Sequence, residues 1–411
     1  MQPERRASLI YLVTALVAFG IPFFQNFLVA DQLGKADFDG FVFFISVFQL
    51  AATFYGFGLG TVIQRYYFDK NASRQSVVSD CFWFWSICSA VLLSLFAFAA
   101  YICYSNGIEF DLLTLPELLV TLVSSVFWSF ILVFPMVYIV IEKPMSYALQ
   151  LIGSRLIMFM GVLYVVYFTN QQAGDFVQVY AITSVIVFVL SLLIIGVFPL
   201  QTISVSRLRE IFYFSGPLML NSLGGLGYNH GYKVIVAGML AESQLGILHM
   251  ATTFASGYYL VGSSVLRGFV PRVYKALRSS DGNPSSIVFY EKTIAVVALG
   301  CIILFFPFSY AVLYFFKDGA FLASFDLLPI LIIGQVVLLF YGARNLMVNY
   351  IKDTYILTAA ILTGLTINLA TLYLFVQPGK LWQFAVPLSL AYIAQYAVIH
   401  LLLRNKNKTL W

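Results

Sequence analysis

The chain has 411 residues, of which 61% are hydrophobic and 10% charged, with a net charge of +5 at neutral pH and a mean hydropathy of +0.90. A water-soluble domain cannot hide that much apolar surface, so the composition excludes a soluble globular protein and makes the bilayer the solvent. The basic excess does not point to nucleic acid, because it sits on short connections between apolar runs, where topology and anionic lipid account for it.

A helix that crosses the hydrocarbon core needs about 20 mainly apolar residues. Breaking the chain at its charge, Gly, Pro and Asn clusters predicts twelve such spans. The first six are 8–30, 40–64, 77–103, 115–141, 146–168 and 176–200. The second six are 212–239, 245–268, 287–316, 322–347, 354–376 and 381–403. Lys and Arg mark alternate connections: Arg5 and Arg6; Arg65, Lys70 and Arg74; Lys143; Arg207 and Arg209; Arg267, Arg272, Lys275 and Arg278; Arg344 and Lys352; Arg404, Lys406 and Lys408. The other connections carry only Lys35, Lys317 and Lys380 and are richer in acid. The positive-inside rule then puts the basic connections, and with an even number of spans both termini, in the cytoplasm. The first span is too long for a removable signal peptide and lacks its small-residue cleavage site. The four cysteines lie inside apolar segments without ligand partners and read as small apolar filler.

The two halves resemble each other at an offset of 207 residues, as from Arg65 to Arg272 and Tyr67 to Tyr274. Val29, Ala30 and Leu33 align with Val236, Ala237 and Leu240, and a one-residue gap brings Gly40 onto Gly246. The expected architecture is therefore an all-α polytopic membrane protein of two six-helix lobes, 1–204 and 205–411, related by an internal repeat. Paired bundles of this kind suit alternating access around a site at the repeat interface. The plainer reading is an old duplication kept for packing.

Four stretches carry a family likeness: SLIYLVTALVAFGIPFF, LGKADFDGFVFFISVFQLAATFYGFGLGTVIQRY, IEKPMSYALQLIGSRL and FSGPLMLNSLGGLGYNHGYKVIVAGML. With the twelve-span plan, they resemble the Wzx-type O-antigen and capsule flippases of the MOP exporter superfamily, which have a MATE-like fold. The resemblance implies a protein that moves an undecaprenyl-pyrophosphate-linked oligosaccharide from the inner to the outer leaflet of the bacterial cytoplasmic membrane. It implies two lobes around an often cationic cavity, and no cofactor or metal. The implied partners are the lipid-linked oligosaccharide, membrane lipids, and the polymerase and chain-length components of the same pathway, with no nucleic acid. One departure stands out: the family's seventh helix often carries Asp before its basic residue, whereas here Tyr232 precedes Lys233.

Basic residues inside lipid cost at least about 2.5–3.5 kcal/mol at a helix centre, so those present are candidates for function. Arg155 lies about 13 Å along the fifth span, too deep for easy snorkelling, and should face a polar cavity or a partner. Lys233, in the outer half of the seventh span, shares a helical face with Asn229 and Ser222. It either lines a cavity or snorkels to headgroups. Under the repeat offset Lys233 overlays Asn26 and Tyr232 overlays Gln25, giving each lobe a polar pair for one cavity. Arg155 and Lys233 would pair with a pyrophosphate, and Asn221, Asn229, His230, Tyr228 and Tyr232 would serve the sugars. His230 also reads as a packing histidine. Arg65, Arg272 and Arg344 are topology anchors or an inner gate. Most of the 26 tyrosines and 40 phenylalanines are expected at lipid or at the interface.

Two other classes fit less well. A cation-coupled small-molecule or multidrug exporter wants a carboxylate inside the membrane, whereas Asp31, Asp80, Glu142, Glu291 and Asp326 cluster at span ends. A membrane enzyme such as a polysaccharide polymerase needs a base, nucleophile or metal cluster, whereas His230, His249 and His400 are scattered and no carboxylates pair. The expectation is a transporter, not an enzyme.

Overall fold

The computed structural model describes residues 3–33, 35–66, 74–107, 112–141, 143–169, 171–195, 205–240, 244–267, 285–315, 321–351, 353–377 and 380–410. These residues are overwhelmingly helical, and they form two compact units, Met1–Gly238 and Met239–Trp411. Among them, nine helices are long and apolar enough to cross a membrane. They coincide with nine of the twelve predicted spans. The other three, 8–30, 212–239 and 245–268, coincide with α1, the α9–α10 segment and α11, defined below. By that length-and-composition criterion the described residues contain nine of the twelve.

Unit 1 contains α1 (Pro3–Gln32), α2 (Lys35–Gly56), α3 (Leu59–Tyr66), α4 (Arg74–Ser105), α5 (Leu115–Val133), α6 (Met136–Val140), α7 (Pro144–Phe168) and α8 (Ala173–Ile195). It closes with α9 (Val205–Leu226), one π-helical turn (Gly227–Gly231) and α10 (Tyr232–Ala237). α2 and α3 are one span, bent where Phe57 and Gly58 both have positive φ. Gly58 is required there for two reasons: its φ is +67°, and a Cβ would sit 2.8 Å from the Leu218 Cβ of α9. α5 begins with a carboxylate cap, the Thr114 N–H donating to Glu117 Oε2 at 2.8 Å. It ends before Pro135, which has no N–H to continue the ladder, and α6 completes the span.

The core of unit 1 is aromatic. α2 packs on α5 and α5 on α8, while α7 packs on both α1 and α8. Phe38, Phe41, Phe44 and Phe48 project from α2 at helical spacing and are fully buried with Phe176, Tyr180 and Trp128. A second cluster joins Phe84, Trp85, Phe130 and Phe134 with Cys81, which is apolar filler as expected. These rings therefore correct the expectation for the aromatics in part: many do face outward, but a set of the largest builds the unit's interior. The unit also keeps the whole 205–237 segment, because α9, the π turn and α10 lie along α2. The predicted lobe border at 204/205 follows the sequence repeat, whereas packing draws the border of the compact unit after Gly238.

Unit 2 contains α11 (Gln244–Arg267), α12 (Ser285–Phe315), α13 (Ala323–Ile351), α14 (Thr354–Phe375), a 3-10 turn (Leu381–Phe384) and α15 (Val386–Leu410). α15 packs on α13 and α14, and α13 on α11 and α12. Gly334 permits the α13–α15 approach, since a Cβ there would lie 2.9 Å from the Ser389 Cα. Ser389 Oγ donates to the Ile330 carbonyl at 2.6 Å across the same contact.

Candidate functional site

A few polar groups inside unit 1 lie near Arg155. Arg155 is half-buried on α7, and its guanidinium carbon lies 4.8 Å from the centroid of the Trp128 ring on α5. Arg155 stands eleven residues from the nearer end of α7, and Trp128 twelve from the nearer end of the Leu115–Val140 span, about 16–18 Å in, which is past the membrane interface. Tyr180 of α8 is within electrostatic reach of Arg155. Its hydroxyl accepts a hydrogen bond of 2.5 Å from Nε2 of Gln25 on α1. The Tyr180 ring is clamped edge-on by Phe44 and Phe48 of α2, at centroid distances of 5.0 Å and 5.3 Å. Phe48 also leans on Trp128 at 6.0 Å.

The 205–237 segment brings the remaining basic groups. The π turn GYNHG has two glycines in five residues, which weakens the regular ladder and lets one wider turn form. Gly231 faces α2, a Cβ there lying 3.5 Å from Leu50. His230 sits within electrostatic reach of both Lys233 and Arg155, and its Nδ1 is buried without a hydrogen-bond partner. Lys233, on α10, is 3% exposed, and Tyr228 and Tyr232 are buried beside it in sequence. Arg155 of α7 and Lys233 of α10 thus both lie within electrostatic reach of His230 on the π turn, with the Trp128 and Tyr180 rings beside Arg155.

Among the predicted site residues, Arg155, His230, Lys233 and Gln25 are brought together, Gln25 through Tyr180. Tyr232 is buried on α10 and Asn26 is half-buried on α1. The side chains of Asn221, Asn229 and Arg65 lie outside what is described, as does Arg272 altogether. Arg344 is elsewhere: in unit 2 its Nη2 lies 2.7 Å from Oε1 of Glu291 on α12. Trp128 and Tyr180, central to the arrangement, were not singled out in sequence. The available signal was position, an aromatic residue in mid-span beside the small polar run Ser124, Ser125 and Ser129.

The acids are placed differently. Asp80 of α4 pairs with Arg207 of α9 at 3.0 Å, Glu291 pairs with Arg344, and Asp326 is exposed in the first turn of α13. Among the described residues, no carboxylate lies within ion-pair distance of Arg155.

Residues 5–273 match the family described as Polysaccharide biosynthesis protein, and the chain belongs to that family. No curated protein matches it. Among solved structures it is similar to an inward-facing multidrug resistance MATE family transporter of the MOP superfamily, with a TM-score of 0.76 and 12% identity over 98% of each chain. It is also similar to the lipid II flippase MurJ in an inward closed conformation, with a TM-score of 0.72 and 14% identity over 97% of this chain and 87% of that one. An outward-facing MATE family transporter gives 0.69 at 14% identity, over 100% of this chain and 97% of the other. The fold is therefore MATE-like, that of multi-pass membrane transporters and a flippase rather than of enzymes.

Proposed function

We propose that the protein is a flippase of the bacterial cytoplasmic membrane for undecaprenyl-pyrophosphate-linked oligosaccharide repeat units, carrying them from the inner to the outer leaflet by alternating access of two repeat-related lobes. The observation that carries this reading is Arg155, set over Trp128 inside unit 1 with no acid within ion-pair distance among the described residues, together with the buried Lys233 of α10. Buried basic groups with no acid at Arg155 suit a polyanionic group, which takes charge-assisted hydrogen bonds in a poorly screened interior. The amide of Gln25 and the aromatic surfaces of Tyr180, Tyr228 and Tyr232 are the groups that sugars use. Membership of a polysaccharide biosynthesis family and likeness to a lipid II flippase support a lipid-linked substrate. The basic connections support cytoplasmic termini under the positive-inside rule, and this reading makes the polymerase and chain-length components of the same pathway the natural partners.

The test is accumulation of lipid-linked repeat units in cells lacking the protein, with rescue by wild type, Arg155→Ala and Lys233→Ala. Build-up on the cytoplasmic face that wild type relieves and the variants do not is the expected result. Normal surface polysaccharide without build-up overturns it. A second reading, cation-coupled export of small molecules, draws on the MATE likeness and on Asp39, a buried carboxylate. Asp39 stands in the second turn of α2 rather than in mid-span, which favours the first reading.

A further inference from the structure

We propose that Trp128 is the positioning residue for Arg155: its indole face, in place of an acid, holds the guanidinium in the interior and leaves its charge and N–H donors to an anionic phosphate. The proposal rests on the reading of this cluster as the pyrophosphate site. A guanidinium is planar, weakly hydrated and suited to stacking on an aromatic face. An indole is the strongest common partner for it, attracting the cation through the ring quadrupole without neutralising it. A carboxylate would instead take two of the five N–H donors in a bidentate fork and cancel the charge.

Three observations separate this from ordinary core packing. The guanidinium carbon stands 4.8 Å over the Trp128 ring, inside the range of about 6 Å in which the attraction acts. The indole is not anchored by its polar edge, because Trp128 Nε1 is buried without a hydrogen-bond partner. What fixes the ring is its setting, 1% exposed and against Phe48 at 6.0 Å. Arg155 has, among the described residues, no acid within ion-pair distance, whereas the comparably buried Arg344 has one at 2.7 Å. In this fold an acid can be brought to a buried arginine, and at Arg155 an aromatic face stands there instead.

The test uses the full-length protein in lipid nanodiscs, with tryptophan analogues carrying one, two and four fluorines inserted at position 128. Fluorination drains the ring quadrupole while nearly keeping its shape, so a purely packing role does not respond. Two quantities are read: the thermal unfolding temperature without ligand, and the Kd for undecaprenyl pyrophosphate. The expected result is a stepwise fall in unfolding temperature of about 2–4 °C in total and a stepwise rise in Kd of about three- to tenfold. Both trends should vanish in the Arg155→Ala background. An unfolding temperature that is flat across the series, or falls equally in Arg155→Ala, overturns the role of Trp128 whatever the binding shows. Failure of the wild type to bind undecaprenyl pyrophosphate, with the unfolding trend intact, overturns instead the pyrophosphate reading and keeps the Trp128–Arg155 pair.

Discussion

Arg155 in unit 1 and Arg344 in unit 2 are the same residue type in similar surroundings, solved in opposite ways. Arg344 lies 2.7 Å from Glu291, with side chains 15% and 22% exposed, so the two charges cancel inside unit 2. Arg155 rests on an indole and keeps its charge. An ion pair satisfies a buried arginine and consumes it; an aromatic face satisfies it less completely and leaves it available. Unit 1 thus holds a buried arginine on an aromatic face and unit 2 holds one on an acid. Within its own unit Arg344, expected from sequence as a topology anchor or gate residue, also ties α12 to α13.

The largest expected effect is on stability, at the concealed charge. Glu291→Ala strands a mostly buried guanidinium and should cost about 3 kcal/mol, within the range for breaking one side of a buried pair. Adding Arg344→Met should recover most of that loss, because two apolar residues remove the charge altogether. Thermal unfolding of the single and double variants measures both. A loss that the double variant fails to recover would show the pair matters for more than neutralisation.

Arg155→Ala should behave in the reverse sense, which sharpens the contrast. Removing an unpaired buried cation relieves desolvation, so stability should hold or change little. Binding of undecaprenyl pyrophosphate should weaken by about 2 kcal/mol, or about thirtyfold, the scale of hydrogen bonds to charged groups. If Arg155→Ala instead destabilises the protein as much as Glu291→Ala does, the two arginines are both structural and the comparison collapses.

Tyr180→Phe comes next. It removes the acceptor of the 2.5 Å bond from Gln25 and leaves a buried amide donor unsatisfied, at about 1–2 kcal/mol. The double variant with Gln25→Leu should regain much of this in thermal unfolding, since an apolar pair leaves no orphan donor. A binding defect confined to the single variant would mean that the orphaned amide, rather than the lost hydroxyl, disturbs the site.

How far this was legible in sequence follows from what kind of signal each feature leaves. Spans are long-range averages of hydropathy, so nearly every helix appears where the composition put it. Arg155 and Lys233 were legible because a charged group in a lipid-length run is costly and therefore conspicuous, and Gln25 because the repeat offset lays it on Tyr232. Trp128 and Tyr180 were not, because aromatic residues are common along every span and hydropathy is the same whether a ring faces lipid or the core. The Glu291 partner of Arg344 was hidden for a different reason: it sits on another helix, and both looked like ordinary residues near span ends. The border after Gly238 is a packing property. The 207-residue repeat is a property of the sequence alone, and α9 packs along α2 regardless of it.

The smallest effect belongs to the third arginine, Arg207, and it calibrates the other two. Its pair with Asp80 is geometrically as good, at 3.0 Å, but the arginine side chain is 46% exposed and the carboxylate side chain 8%. Water and salt already solvate Arg207, so the pair should contribute only about 0.5 kcal/mol, the usual size for an ion pair open to solvent. Asp80→Asn keeps the shape and a hydrogen-bond acceptor, and should shift thermal unfolding barely beyond error, with the shift shrinking further in high salt. Arginine energetics in this fold would then rank by burial and not by distance, with 2.7 Å and 3.0 Å pairs differing several-fold in consequence. An Asp80→Asn loss comparable to that of Glu291→Ala would reverse that ranking. It would mean that the α4–α9 contact holds the 205–237 segment, and with it His230 and Lys233, against α2.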